Sequence, residues 1–507
     1  MYDAIIIGAG VGGLTCASKL ASSGKKVLVL EKIFFIGGSS CIFKRGDFIF
    51  PMGPLSFSHP SLVQRMLKEV GVQEEIKFKR SHFQLISPEL DIIYSQEWSE
   101  FENQLKKLFP KESKGILAFF NEFNMVISAI QDVNEWHPDF MVGEKRKQAE
   151  KTLHKHERDY QIIKKYSEIP IKTLLDKYLV NASLKNLLGS LGSHQPIMNV
   201  VHLAFLWNVM SHQGIWFPSC AINGINELLA ENIVSHGGII KRKTEVKEIL
   251  IENNKAVGVR TTDKKTYKAK WIISNADYKQ VFLQLIDAKH VPDSHLNKVK
   301  NTRYTNSELC VYLGIDPNKI DFSKMRADHL FYRSNLDRDT SKNKNITDFS
   351  KKEIEICLWS NKSENFAPEG YKSILLRVSM PYKYFEKWRI SDFKRREGYY
   401  EHKQELVERL IGTAEEILPG LSSSIVMKEA ATPLTYRDFI CRTQGSVAGW
   451  TRDIQKIRIK SKLLSEKPFD NLFLVGIYSV LEPFLGGYPV SIYTGCLAAD
   501  LILERDS

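Results

Sequence analysis

The hydrophobic pattern is clearest at the start of the chain. Tyr2–Ile7 is a short apolar run of the kind that forms a buried parallel strand. Leu14–Ser23 has helical spacing, with Leu14, Ala17, Ser18 and Leu20 on or near one face, and Gly24 follows as a cap. Lys26–Leu30 predicts a second strand, ending at Glu31. The succession is a βαβ unit.

Further along, Ser61–Val70 predicts a short helix ending at Gly71, and Phe83–Ile86 with Ile92–Ser95 predicts a hairpin around Pro88. From Glu97 to about Gly192 the pattern is mostly helical. Ile116, Phe119, Phe120, Phe123, Ile127 and Ile130 share one face, with Lys107, Lys111 and Lys114 at its start. That face suits a membrane-dipping or substrate-channel helix, and equally an ordinary helical core. Leu228–Ser235 predicts a helix. Ile239–Lys241, Val246–Glu252, Lys255–Thr261 and Trp271–Ser274 predict strands, the middle two as a hairpin around Asn253-Asn254. Glu308–Leu313, Glu355–Leu358 and Ser373–Met380 are strands expected in a second sheet. Ser391–Leu418 reads as largely helical, and Ile425–Ala431 and Asn471–Gly476 as strands before a final helix opening at Gly486-Gly487-Tyr488-Pro489-Val490-Ser491.

Chemistry enters between the first strand and helix. Gly8, Gly10 and Gly13 form G-x-G-x-x-G, with Gly12 beside them. Gly8 permits a tight turn, Gly10 leaves room for a pyrophosphate, and Gly13 lets the helix pack on the sheet. The helix N-terminus offers free N–H groups to the anion. Glu31, at the tip of the second strand, is placed to accept hydrogen bonds from a ribose. Strand, glycines, helix, strand and acid in this order predict dinucleotide binding.

Composition narrows the class. The 507 residues are 43% hydrophobic and 11% aromatic, enough for a large core in two interleaved domains. Lys plus Arg is 71 against 59 Asp plus Glu, a net charge of +12, which suits scattered solvated lysines or an anionic lipid surface. No nucleic-acid motif accompanies the charge, so no nucleic-acid partner is expected. Seven cysteines form no C-x-x-C pair, which points to a reducing compartment. A strand beginning at Tyr2 leaves no room for a signal peptide, and no apolar run reaches the roughly 18 residues of a membrane span; a cytoplasmic protein, peripheral to a membrane at most, is expected. His194, His202 and His212 lack partner ligands at metal-site spacing, and no metal is expected.

Gly37-Gly38-Ser39-Ser40 follows Glu31-Lys32 closely, and Phe50-Pro51-Met52-Gly53-Pro54 comes next. This resembles the start of the flavin amine oxidase superfamily. The Phe217-Pro218 segment, the strand at Val246, Val257-Gly258-Val259 and Ser274-Asn275-Ala276-Asp277 resemble the phytoene desaturase, carotenoid isomerase and retinol saturase branch. Thr432-Pro433-Leu434-Thr435 and Gly445 to Trp450 continue the likeness. It implies an α/β fold: a Rossmann-type FAD-binding domain, glutathione reductase-like, interleaved with a mixed-sheet substrate domain and a helical cap. Residues 1–80, 214–300 and 425–507 would bind FAD, 81–96 and 301–424 would form the substrate-domain sheet, and 97–213 the cap or a membrane-facing subdomain. Gly8, Gly10, Gly12, Gly13, Glu31, Lys32, Gly37, Gly38, Ser39, Ser40, Pro51, Met52, Gly53, Pro54 and Val246 would hold FAD, Val246 beside the adenine. Gly476, Gly487, Pro489, Val490 and Ser491 would stand near the flavin, with the final helix aimed at its pyrimidine ring. Ile477 and Val490 depart from the branch, which often has an acid and usually a glycine there.

The resemblance implies hydride transfer between flavin N5 and a carbon–carbon bond of an apolar isoprenoid or polyene. Desaturation, saturation, isomerisation and amine oxidation all remain open. Tyr478, Glu482 and Tyr488 are the catalytic candidates. No second G-x-G-x-x-G offers a nicotinamide site, so oxygen, a quinone or another acceptor is expected to take the electrons. Trp98, Phe119, Phe120, Trp136, Phe205 and Trp207 would roof the substrate cavity. A carrier of prenylated partners, like the Rab escort and GDP-dissociation-inhibitor proteins, is the non-enzyme alternative.

Overall fold

The computed structural model describes residues 1–53, 56–93, 97–131, 143–190, 198–334, 345–449, 468–479 and 487–507. Among these, five strands of the first sheet run parallel. In spatial order they are Ile239–Lys241, β2 (Val27–Leu30), β1 (Tyr2–Ile7), Thr266–Ser274 and Leu472–Leu474. Strand Thr266–Ser274 pairs with Lys255–Thr261 through its first half and with Leu472–Leu474 through its last three residues. Val246–Glu252 completes the antiparallel hairpin.

Both faces of this sheet are covered, which is why its strands read as unbroken apolar runs. Ile6, Val29 and Ile273 pack on one side beneath α1 (Val11–Ser22), the Ala221–Ser235 helix and the Gly487–Asp506 helix. Ile5, Ile7, Leu28 and Ile272 face the opposite side, against Val281, Phe282 and Phe469. The first helix starts at Val11, so Gly12 and Gly13 lie inside its first turn rather than before it.

The second sheet is ordered Ile425–Ala431, Ser307–Ile315, Lys372–Met380, Ile354–Leu358, His329–Tyr332, Phe83–Ser87, Leu90–Ile93. The Ile425–Ala431 strand was expected in the nucleotide-binding part, but it pairs antiparallel with Ser307–Ile315, from Cys310 opposite Ala431 to Ile315 opposite Ile425. Apolar alternation identifies a strand without saying which sheet receives it. The segment expected to be helical from Ser391 instead begins in a small hairpin, Arg389–Ser391 with Lys394–Arg395, and its helix spans Tyr399–Glu415.

The helical layer decides between two expectations held open by the sequence. The apolar face of Ser113–Gln131 is buried in a closed aromatic core, not turned toward a bilayer or a cavity. Trp98 stacks on Phe120 at 4.5 Å between centroids, and Phe101 meets Trp207 at 5.1 Å. Phe119 and Phe205 belong to the same cluster, while Trp136 and His194 lie outside the described residues. Glu122 ties this layer together, accepting from Tyr166 at 2.7 Å, from Lys177 at 2.8 Å and from Tyr178. All seven cysteines are free thiols. No described helix is long and apolar enough to cross a membrane.

The two ends of the first sheet's chain path meet in a close helix crossing. A Cβ on Gly495 would stand 2.5 Å from the Gly12 carbonyl oxygen and 2.8 Å from Thr15 Cβ. Gly495→Val should therefore cost about 1–3 kcal/mol or more in denaturant unfolding, because backbone must shift to admit the side chain. Gly412→Ala, inside the Tyr399–Glu415 helix with nothing within 4 Å of the new methyl, should be neutral or stabilising by up to about 1 kcal/mol.

Candidate active site

Parallel strands end in register: Leu30 and Ser274 both sit opposite Ile7, and Leu474 opposite Ser274. The residues that follow, Gly8, Glu31, Asn275 and Gly476, are thereby delivered to one edge. A crevice outside the carboxyl ends of parallel strands is where open α/β sheets bind ligands. A 520 Å³ groove opens there. Its walls carry Gly8, Gly10, Gly12, Glu31, Lys32, Gly37, Gly38, Ser39, Ser40, Val246, Gly476 and Ser491, all anticipated from sequence.

The glycines are required by close approach. Gly37 has φ +94°, and its Cβ would fall 2.2 Å from Asn226 Nδ2, which donates to the Ser40 carbonyl at 2.5 Å. A Cβ on Gly12 would meet the Gly476 amide nitrogen at 2.6 Å, and one on Gly13 the Gly8 carbonyl oxygen at 2.3 Å. Gly53 is held against the Ser39 carbonyl, where a Cβ would come within 2.6 Å. Gly10 faces Asn275, whose Nδ2 would lie 2.2 Å from its Cβ, and its backbone bridges to Gly37. The groove floor is thus bare backbone, the surface a pyrophosphate needs.

Glu31 closes one end of the groove. Its Oε2 accepts from the Ala9 amide at 2.7 Å and its Oε1 from the Ile33 amide at 2.8 Å. Burial pushes this carboxyl above its ordinary value, although the two amides pull it down. Each carboxylate oxygen retains a lone pair for a ribose hydroxyl. Lys32 is paired with Glu245 at 2.8 Å on the rim.

Three residues had no role assigned from sequence. Asn275 packs against Gly10, Gly12 and Gly476 at once. Asp277 is buried and accepts from Tyr304 Oη at 2.9 Å and from the Thr443 amide at 2.8 Å. Arg442 donates to Ser39 Oγ at 2.8 Å and to the Val447 carbonyl at 2.6 Å. The Ser-Asn-Ala-Asp run displayed the first two in the sequence. Arg442 reaches Ser39 only through the fold.

The catalytic candidates separate. Tyr478 lines the groove, but its hydroxyl is engaged with Ser446 Oγ at 2.8 Å and its pKa is pushed up by burial. Tyr488 does not reach the groove: it stacks on Phe57 at 4.8 Å in the sheet's core. Glu482 and Pro54 lie outside the described residues. Val490 is also in that core, whereas Ile477 lines the groove.

A second cavity of 420 Å³ adjoins the groove and shares Phe439 and Ile440 with it. Its walls are mainly aromatic, with Phe34, Phe43, Tyr312, Tyr399 and Tyr436 around Met52. Phe43 meets Tyr312 edge-on at 4.8 Å, and Tyr436 donates to Glu308 at 2.6 Å. This cavity lies against the second sheet and the 389–440 segment, not under the helical layer.

The fold and groove are those of an FAD-dependent oxidoreductase. The chain belongs to the flavin containing amine oxidoreductase family, which matches residues 11–503. It is 30% identical to a chloroplastic prolycopene isomerase of Daucus carota, over 100% of this chain and 81% of that protein. It is 24% identical to an all-trans-retinol 13,14-reductase of Danio rerio, over 99% and 86% of the two chains. The solved structure of an oxidoreductase from Methanosarcina mazei superposes with a TM-score of 0.60 at 16% identity, covering 98% of this chain and 99% of that one.

The raised Glu31 pKa gives two pH effects of opposite sign. Acidification through that value protonates the carboxylate and removes an acceptor, so FAD affinity should fall as pH falls, and at a higher pH than the ordinary 4.5 would give. Glu31's own contribution to apoprotein stability should rise over the same window, because the folded state holds its proton more tightly than the unfolded chain does, while His329, whose pKa burial lowers to about 4, acts in the opposite direction. Glu31→Gln should flatten the affinity profile and remove Glu31's share of the stability profile, read by FAD fluorescence titration and by the difference from wild type in denaturant unfolding.

Proposed function

We propose that the protein transfers hydride at a carbon–carbon bond of an apolar isoprenoid or polyene. The observation that carries this reading is the aromatic-walled cavity joined to the nucleotide groove at Phe439 and Ile440. The relatives named above, a prolycopene isomerase and a retinol reductase, support the same substrate class.

The groove suits FAD because its floor is glycine backbone and its end is a half-buried carboxylate. In this reading Gly8, Gly10, Gly12, Gly37, Gly38, Ser39 and Ser40 cradle the pyrophosphate, and Gly13 seats the helix. Glu31 accepts from the ribose, Lys32 stands beside it, and Val246 covers the adenine. Pro51, Met52, Gly53, Gly476, Gly487, Pro489 and Ser491 frame the flavin end, and Val490 buttresses them from the core. Bound flavin supplies two-electron acceptance and donation at its N5. The chain's own residues orient the substrate and exclude water: Phe43, Tyr312 and Tyr436 wall the cavity, and Arg442 fixes the Gly38-Ser39 turn. Tyr478, held by Ser446, acts as a positioning residue. Residues 1–80, 214–300 and 432–507 then serve FAD, 81–96 and 301–431 the substrate, and 97–213 form the helical cap.

A charged ammonium finds no unpaired carboxylate in the same cavity among the described residues: Glu429 is already shared by Arg45 at 3.1 Å and Lys403 at 3.5 Å.

The test is anaerobic mixing of the FAD-loaded protein with dispersed polyenes. Bleaching of the flavin band identifies desaturation. Reoxidation of chemically reduced protein identifies saturation, and altered double-bond geometry without net flavin change identifies isomerisation. Bleaching by an amine, with polyenes inert, would overturn the proposal. Ala431→Phe, which narrows the cavity, should lower kcat/KM about tenfold or more while FAD stoichiometry stays at wild-type level.

A further inference from the structure

The carboxylates packed around the aromatic cavity are not alike. Glu429 is shared by Arg45 and Lys403, and Asp438 by Arg395 and Arg437. Glu355 accepts from Arg377 Nη2 at 2.6 Å and from its Nε at 3.1 Å. Glu308, the second residue of the Ser307–Ile315 strand, makes no ion pair among the described residues. Arg377 stands opposite Cys310, diagonal to Glu308, and its field reaches Glu308, but its hydrogen bonds go to Glu355. A cation bound to a carboxylate weakens it as a proton acceptor. Of these four carboxylates, Glu308 is the one left without such a cation.

The bond that Glu308 does make leads to the cavity. Tyr436, on the Pro433–Phe439 helix, lines the cavity and donates its hydroxyl to Glu308 Oε1 at 2.6 Å. Glu308 is not part of the described cavity wall; it is half-buried behind Tyr436. A cationic substrate does not reach this carboxylate, whereas a proton can, through the phenol oxygen. Burial pushes the Tyr436 hydroxyl far above its ordinary value, so a lasting phenolate is not available there. Any proton that the phenol oxygen takes must displace the phenol's own proton toward Glu308.

We propose that Tyr436 and Glu308 are the proton relay of the cavity, Tyr436 as the catalytic residue that meets a substrate carbon and Glu308 as the group that stores the proton. This rests on the carbon–carbon reaction proposed above. Loss of a hydride, with its electron pair, from one carbon to the flavin leaves the neighbouring C–H acidic. That bond breaks and its electrons form the new double bond. Its proton goes to Tyr436 Oη while the phenol's own proton goes to Glu308 Oε1. Saturation runs the same transfers backwards. An isomerisation by proton addition borrows the proton from Glu308 and returns it after the bond has turned.

The experiment compares kcat and KM for a dispersed polyene in the FAD-loaded full chain, wild type against Glu308→Gln, Tyr436→Phe and the double variant. Glu308→Gln keeps an acceptor for the Tyr436 hydroxyl but is no base, so a bond that only holds the helix in place would survive it. Each single variant should lower kcat about 100-fold with KM and FAD content unchanged. The double variant should be no slower than the slower single, because the two residues act as a unit. Glu308→Ala should recover turnover with added formate and not with formamide, which fits the same space without serving as a base. Variants that keep wild-type kcat, losses in KM alone, losses that add in the double variant, or a response to Tyr436→Phe without one to Glu308→Gln would each overturn the relay. Wild type that turns over amines and no polyene would remove the substrate reading and the relay with it. Polyene turnover that the variants leave unchanged would remove the relay alone.

Discussion

The structure depends on one backbone approach. The N-terminal helix and the Gly487–Asp506 helix cross where Gly12 and Gly495 have no side chains, and the Gly476 turn rests on Gly12 from the other side. A single Cβ at either glycine would enter occupied space. The parallel strands place these segments side by side, but the contact itself fixes how far the last helix stands from the groove. Asn275 sits in the middle, against Gly10, Gly12 and Gly476 together. The groove's shape is therefore set by packing within the protein before any ligand arrives.

Two environments adjoin along that groove. The nucleotide half offers glycine backbone, serine hydroxyls and a half-buried carboxylate held by two amides. The other half offers aromatic faces and Met52, with its polar groups mutually satisfied, as in the bond from Tyr436 to Glu308. Unpaired polar groups inside an apolar cavity would be costly, and pairing them leaves walls that accept a greasy molecule without competing for it. The Met52-Gly53 segment joins the halves, because Gly53 is pressed against Ser39 while Met52 lines the cavity.

The nucleotide half was legible in the sequence because its rules are local. A turn, a close approach and a helix start each demand glycine at a fixed offset, and Glu31 follows its strand directly. The rest depends on partners distant in the chain. Ile425–Ala431 has the alternation of any strand, and only its pairing with Ser307–Ile315 assigns it to the second sheet. The helical aromatics have the spacing of a channel wall and of a core alike; stacking of Trp98 on Phe120 decides for the core. Tyr488 lies one residue into the last helix, and helix rotation turns it onto Phe57 and away from the groove. The aromatic cavity's wall is assembled from residues 34–52, 312 and 393–440, a set that no periodicity connects.

The crossing at Gly12 and Gly495 also bears on biogenesis. Residues 2–30 are translated more than 450 residues before the Gly487–Asp506 helix that completes their crevice. At about 5–20 residues per second, the early βαβ unit waits on the order of half a minute or longer with one flank uncovered. The nascent protein must therefore pass through a prolonged stage with apolar helix faces open to chaperones. Flavin capture becomes a late maturation step, sensitive to how quickly the distal coding region is translated.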